Sequence, residues 1–251
     1  MAIAIRKPDE IAKLKRAGEI VGKTLQYLQN TIKPGMTLKE IDALGEAYIR
    51  EHGAEPSFKG LYGFTGSVCT SLNEVCIHGV PTDRVIEEGD VLGLDIGTKL
   101  DGYFGDAAIT MAVGKISAED EALIACSKGA LYHAIDSIRE GMRFKELSKI
   151  LEDYIVSAGF VPLRDYCGHG IGTKAHDEPN IPNYLEGKTN QGPKIKNGMV
   201  FCLEPMVCQK SGTPVLLDDK WSVISEDRLR SAHYEHQVAV VDGKAIILTE
   251  A

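Results

Sequence analysis

Long apolar runs are missing from this 251-residue chain: no stretch approaches the roughly 18 consecutive apolar residues that a membrane-spanning helix needs. The first twenty residues, MAIAIRKPDEIAKLKRAGEI, carry charges throughout, so they lack the apolar core of a secretory signal peptide. Basic charge is in deficit. Lys and Arg number 28 against 36 Asp and Glu, a formal net charge of -8, and the two signs are interspersed, as in Lys13, Lys15, Arg16 and Glu19. A nucleic-acid binder carries a basic face, so nucleic acid is not expected as a primary partner. The six cysteines (Cys69, Cys76, Cys126, Cys167, Cys202, Cys208) include no Cys-x-x-C pair. A chain of this length buries roughly 70 to 75% of its unfolded surface and needs no covalent staple. They read as reduced thiols, mostly small buried hydrophobes, in a cytoplasmic protein. No Pro/Gly/Ser-rich linker divides the chain, and 43% hydrophobic residues exclude a disordered polymer.

What is there alternates between two periodicities. Thr37-Leu-Lys-Glu40 is a capping box, with Ile41, Leu44 and Tyr48 at helical spacing before Gly53. A second helix is expected from Ser117 to Gly141 and a third from about Phe144 to Gly159. Strands are expected at Val91 to Ile96, Tyr103 to Val113, Val200 to Leu203, Val215 to Leu217, and in the pair Gln237 to Val241 and Lys244 to Leu248 around Asp242-Gly243. A faint repeat also runs through the chain. Gly89-Asp-Val-Leu-Gly-Leu-Asp95 parallels Gly198-Met-Val-Phe-Cys-Leu-Glu204, and a second carboxylate follows each, at Asp106 and Glu235. Two copies of one sheet-and-helix unit would bring these strands to a shared centre.

Asp95 and Asp106 flank a possible reversal around Leu100-Asp101-Gly102. A hairpin centred between Leu100 and Asp101 would set them directly opposite, with Cβ atoms about 4.5 to 5.5 Å apart. Like charges so placed among Leu92, Leu94, Ala107, Ala108 and Ile109 are costly to bury without a counter-ion, and a divalent cation supplies one. The plainer alternative is an exposed hairpin with one aspartate serving the turn. His169 lies in Cys167-Gly-His-Gly-Ile-Gly172, with His176 seven residues on; Glu204 ends an apolar strand and Glu235 opens another. Singly, each reads equally well as a structural histidine or a strand-end charge. Jointly, two Asp, two Glu and one imidazole make an oxygen-rich set for two divalent ions about 3.5 to 4 Å apart, suited to Mn(II) or Fe(II), with Co(II) and Zn(II) as substitutes.

In this order of motifs, with Asn73-Glu-Val-Cys-Ile-His78-Gly-Val-Pro81 and the segment Trp221 to Glu235 as further matches, nearly the whole chain resembles the type I methionine aminopeptidases of peptidase family M24. No helical insert of the type II enzymes is present, so the likeness is to the compact bacterial form. The resemblance implies an α+β pita-bread fold, a pseudo-two-fold repeat of antiparallel sheet flanked by helices. It implies one catalytic domain over residues 1–251, with halves of roughly 1–115 and 116–251. By the same resemblance Asp95 and Asp106 bind one metal, while Asp106, His169, Glu204 and Glu235 bind the other. Glu204 carries a proton, and His78 and His176 face the substrate without binding metal. Phe58, Leu61, Phe64, Cys69 and Trp221 wall the methionine pocket. The position before His176, commonly aromatic in the family, is Ala175 here. His52, His133, His233 and His236 match no functional position and are read as structural or exposed.

The implied activity is removal of the initiator methionine from nascent proteins with a small second residue, by a cytoplasmic monomer acting on new N-termini at the ribosome, with no membrane partner. Alternatives are a proline-directed aminopeptidase or dipeptidase of the same fold and a non-catalytic binding homologue.

Overall fold

The structure, a computed structural model that describes residues 3–250, contains four α-helices among the described residues: α1 (Pro8–Thr31), α2 (Leu38–Glu51), α3 (Ala118–Ser137) and α4 (Phe144–Ser157). The strands before α3 are β1 (Glu55–Pro56), β2 (Val68–Leu72), β3 (Val75–Ile77), β4 (Val91–Leu100) and β5 (Tyr103–Ala112). Those after α4 are β6 (Val161–Pro162), β7 (Cys167–Gly170), β8 (Asp177–Pro182), β9 (Val200–Leu203), β10 (Met206–Cys208), β11 (Pro214–Leu216), β12 (Val223–Ser225), β13 (Ser231–His233), β14 (Glu235–Val241) and β15 (Lys244–Ile247). No helix among the described residues is long and apolar enough to cross a membrane.

Local chemistry sets the helix boundaries. At α2 the Thr37 hydroxyl accepts from the Glu40 amide at 3.1 Å, and the Glu40 carboxylate accepts from the Thr37 amide at 2.7 Å, closing the expected capping box. Ser117 caps α3 in the same way, accepting from the Asp120 amide. That helix stops at Ser137, short of the Gly141 expected from spacing. Ile138 turns extended and is buried, while the amides of Glu140 and Gly141 donate to the carbonyls of Gly243 and Ile195. Pairing with other segments thus replaces the last helical turn.

A nine-stranded sheet holds β1-β4-β5-β14-β9-β7-β8 in order, with β2 also on β4 and β15 on β14. Read outward from the β5–β14 seam, the order is symmetrical: the strand of the second carboxylate lies inside and the strand leading to the first lies outside, in both halves. Two apolar clusters flank this sheet. One is built mainly from α1, α2 and β4, the other from α3, α4, β9 and β14.

Strand β4 runs past the expected Ile96 to Leu100, because Gly97, Thr98 and Lys99 pair with Asp106, Gly105 and Phe104. The reversal is the two-residue turn Asp101-Gly102, both at positive φ, the geometry that matches strand twist. This moves the centre of the hairpin and corrects the expected register. Asp95 pairs with Ala108 and Asp106 with Gly97, so the two aspartates are diagonal neighbours on one face, not directly opposite.

Helix α1 packs on β4 and β5 at backbone distance. A Cβ at Gly105 would lie 2.7 Å from the Ala17 carbonyl carbon and 2.8 Å from the Gly18 nitrogen, so only glycine lets the helix seat directly behind Asp106. Gly105→Ala should lower stability by about 1 to 3 kcal/mol through overpacking, read as a shift of the urea unfolding midpoint.

Candidate metal centre and active site

One row of cross-strand neighbours assembles the site. Asp95 on β4 pairs with Ala108 on β5, and Ala108 pairs with Glu235 on β14. The small methyl of Ala108 leaves the space between the two carboxylates open, and Asp106, two residues from Ala108, shares their face. On the other side of β14, His236 pairs with Leu203, a register that, continued by one residue, sets Glu204 opposite Glu235. Gly170 on β7 pairs with Phe201, which brings His169 beside Cys202 on the same face. The His169 Nε2 lies 3.6 Å from Glu204 Oε1 and 3.9 Å from Asp106 Oδ2. Ligand atoms of Asp106, His169, Cys202 and Glu235 all fall within 4.8 Å of one another.

Three carboxylate oxygens in this group, Asp95 Oδ1, Asp106 Oδ1 and Glu235 Oε1, are buried with no hydrogen-bond partner. An orphaned buried acceptor is expensive, and several at one point are what a cation would satisfy. Burial raises the pKa of Asp95 to about 7 and pushes Asp106, Glu204 and Glu235 well above the carboxylate range, with mutual repulsion adding to the last three. Burial and the neighbouring His176 press His169 down to about 3, so its imidazole is neutral and free to bind metal. The donors present therefore fit divalent cations, with oxygen dominant and one nitrogen. Cys202 is held as a thiol by burial and by the surrounding carboxylates, which leaves it a poor ligand.

A single cleft of about 380 Å³ contains every residue expected at the site, a volume typical of small-ligand sites. At its apolar end Phe58, Phe64 and Cys69 form a buried cluster with partly buried Leu61 and Trp221, the Phe64 and Trp221 rings meeting edge-on at 5.2 Å. Cys69 pairs with Asp95 across β2 and β4, so the apolar end abuts the acidic one directly. His78, in left-handed backbone at φ 57, sets its ring edge-on to Tyr166 at 5.7 Å. The ring of His176 lies 4.4 Å from His169 on one side and 6.1 Å from Tyr62 on the other. Ala175 is buried.

Several lining residues escaped sequence reasoning. Tyr62, 76% exposed and at φ 50, stands at the mouth between Gly60 and Gly63; the paired glycines were the available signal. Asp165, Tyr166 and Cys167 also line the cleft, signalled only by preceding His169 in the chain. Of the histidines without an expected role, His52 stacks on Tyr48, His133 lies beside Tyr154, and His236 bonds Tyr132 and Thr249. His233 differs. It is buried with Nε2 at 4.0 Å from Glu204 and 3.9 Å from Glu235. Its position two residues before Glu235 in extended chain was the legible clue.

The raised Asp95 pKa sets a linkage. Between 3.8 and about 7 the unfolded chain has released a proton that folded Asp95 retains, so its contribution favours folding at the acid end and is lost as pH rises through that window. Chelator-treated protein should therefore lose melting temperature relative to Asp95→Asn over this range, and added Mn(II) should restore it with release of protons. Parallel wild-type and variant curves would contradict the assignment.

Comparison with known proteins bears on the whole chain. A profile of the family described as metallopeptidase family M24 matches residues 12–242. The chain is 59% identical over 252 residues to a methionine aminopeptidase of Helicobacter pylori, covering 100% of both. It superposes on a crystal structure of the Thermotoga maritima methionine aminopeptidase with a TM-score of 0.97 at 35% identity, covering 100% of each. A prolidase from Pyrococcus furiosus gives a TM-score of 0.80 at 25% identity, and there 98% of this chain covers 65% of the other. The shared architecture is the pita-bread fold. With its acidic cleft in place and these matches running nearly end to end, the chain belongs to metallopeptidase family M24 and, within it, to the methionine aminopeptidases.

Proposed function

We propose that this protein removes the initiator methionine from new polypeptides whose second residue is small, using two divalent ions held by Asp95, Asp106, His169, Glu204 and Glu235. The observation that carries the reading is the junction of two environments in one cleft: an apolar slot of Phe58, Leu61, Phe64, Cys69 and Trp221 ends directly against the buried carboxylates. Divalent cations supply water activation near neutral pH and a Lewis acid for the scissile carbonyl. Fe(II), Mn(II), Co(II) and Zn(II) all suit the donor set.

The chain's own groups do the rest. The slot accepts an unbranched apolar side chain and positions the bond that follows it. Glu204, held in a site that raises its pKa, takes a proton from the attacking water and passes it to the leaving amine. His176, its pKa lowered by burial, is neutral and donates an N–H to the developing oxyanion. His78, pushed down to about 4, presents a neutral imidazole to the scissile amide. The same reading makes residues 1–251 one catalytic domain with halves of roughly 1–115 and 116–251, a monomer in the cytoplasm that meets its substrates at the ribosome. The symmetry of the sheet about the β5–β14 seam supports the two halves.

Release of methionine from Met-Ala-Ser should require Mn(II) or Co(II) and should fall more than about a hundredfold in Asp106→Asn. Robust hydrolysis after chelation, or preference for Xaa-Pro peptides, would overturn the proposal. Glu204→Gln should lower kcat by roughly 10² to 10⁴ while KM changes little, as measured by steady-state kinetics on the same tripeptide.

A further inference from the structure

Behind the carboxylates of the cleft lies a second buried imidazole that the proposed chemistry does not use. His233 ends β13 and is 4% exposed. Its backbone is fixed to β5 from both sides: the His233 amide donates to Thr110 Oγ1 at 2.8 Å, and the Thr110 hydroxyl donates to the His233 carbonyl at 2.9 Å. The next residue, Tyr234, donates its hydroxyl to the Thr110 carbonyl at 2.9 Å. Four residues upstream on the same strand is Asp106. The backbone that carries the imidazole is thus held by the element that bears a candidate metal ligand.

The His233 Nε2 is buried with no hydrogen-bond partner, and the polar atoms that face it are Glu204 Oε2 at 4.0 Å and Glu235 Oε2 at 3.9 Å. Both are acceptors when ionised, and facing them favours the neutral tautomer with its proton on Nε2. The remaining carboxylate oxygens point elsewhere. Glu204 Oε1 faces His169 Nε2 at 3.6 Å, which places the Glu204 carboxylate between two imidazoles, and Glu235 Oε1 is one of the orphaned acceptors. The distances from His233 exceed a hydrogen bond, and either contact would become one on closing by about 1 Å.

We propose that His233 is a positioning residue of the metal centre: its Nε2–H engages the facing Oε2 of Glu204 or of Glu235 and fixes the plane of that carboxylate. This rests on the metal-dependent reading of the cleft and assigns that reading an outer partner. Ligand-orienting groups of this kind act on both metal affinity and turnover.

Two substitutions separate orientation from packing. His233→Leu fills the space without a donor, and His233→Gln keeps an N–H at similar reach. Isothermal titration with Mn(II) should show affinity reduced about 10- to 100-fold in His233→Leu, the visible spectrum of the Co(II)-loaded protein should change, and kcat on Met-Ala-Ser should fall with KM little altered. His233→Gln should recover most of each. If the leucine variant does not fold, His233→Met takes its place against glutamine. Leucine binding Mn(II) like wild type with an unchanged Co(II) spectrum overturns the proposal, as does glutamine as impaired as leucine, which marks a packing role. Wild-type protein that binds metal but releases no methionine would sink the aminopeptidase reading alone, since the titration and spectrum report on His233 without turnover.

Discussion

Asp95, Asp106, Glu204 and Glu235 face one side of a continuous sheet, and in that dry cleft each ionisation raises the cost of the next. The conflict organises the site. Burial and that repulsion drive the carboxylate pKa values up, burial with His176 alongside presses the His169 imidazole down, and the buried acceptors there lack partners that cations would supply. A fold that gathers such groups must hold them by means independent of their own interactions. Here the antiparallel ladder does so, since Asp95, Ala108 and Glu235 are fixed in one row by backbone pairing whatever their charge state.

The two halves share that task. Each contributes a strand leading to one carboxylate and a second strand bearing another, and the two inner strands meet at the seam. Each half also keeps an apolar cluster behind its part of the sheet. Rigidity thus comes from two supports meeting under the chemistry, and the backbone-close seating of α1 against Gly105 extends it to the strand of Asp106.

Much of this was written in local patterns. Thr37 with Glu40 and Ser117 with Asp120 marked helix starts because capping is a short-range hydrogen-bond event. The hairpin that carries both aspartates was visible from alternation and Asp101-Gly102. Its register was not, because shifting the turn centre by one residue moves the facing partner by two, and only the positive φ at both turn positions decides between the options. The end of α3 was obscured because the carbonyls that capture the amides of residues 140 and 141 come from segments distant in the chain, the β14–β15 turn and the loop before β9. The apolar slot was legible only through family likeness: Phe58 and Phe64 sit in irregular chain and Leu61 in a single 3₁₀ turn, with no period to read. His233 was hidden by a change of strand between it and Glu235, although two-residue spacing put them on one face.

Cys69 sits where slot and carboxylates meet, 4% exposed, and burial together with Asp95 and Asp106 drives its thiol far above the usual range. Nucleophilic attack by cysteine needs the thiolate. An electrophilic inhibitor designed to alkylate this wall would meet an inert sulfur. Useful small molecules for this cleft would have to win by shape against the sulfur and by chelation beside it.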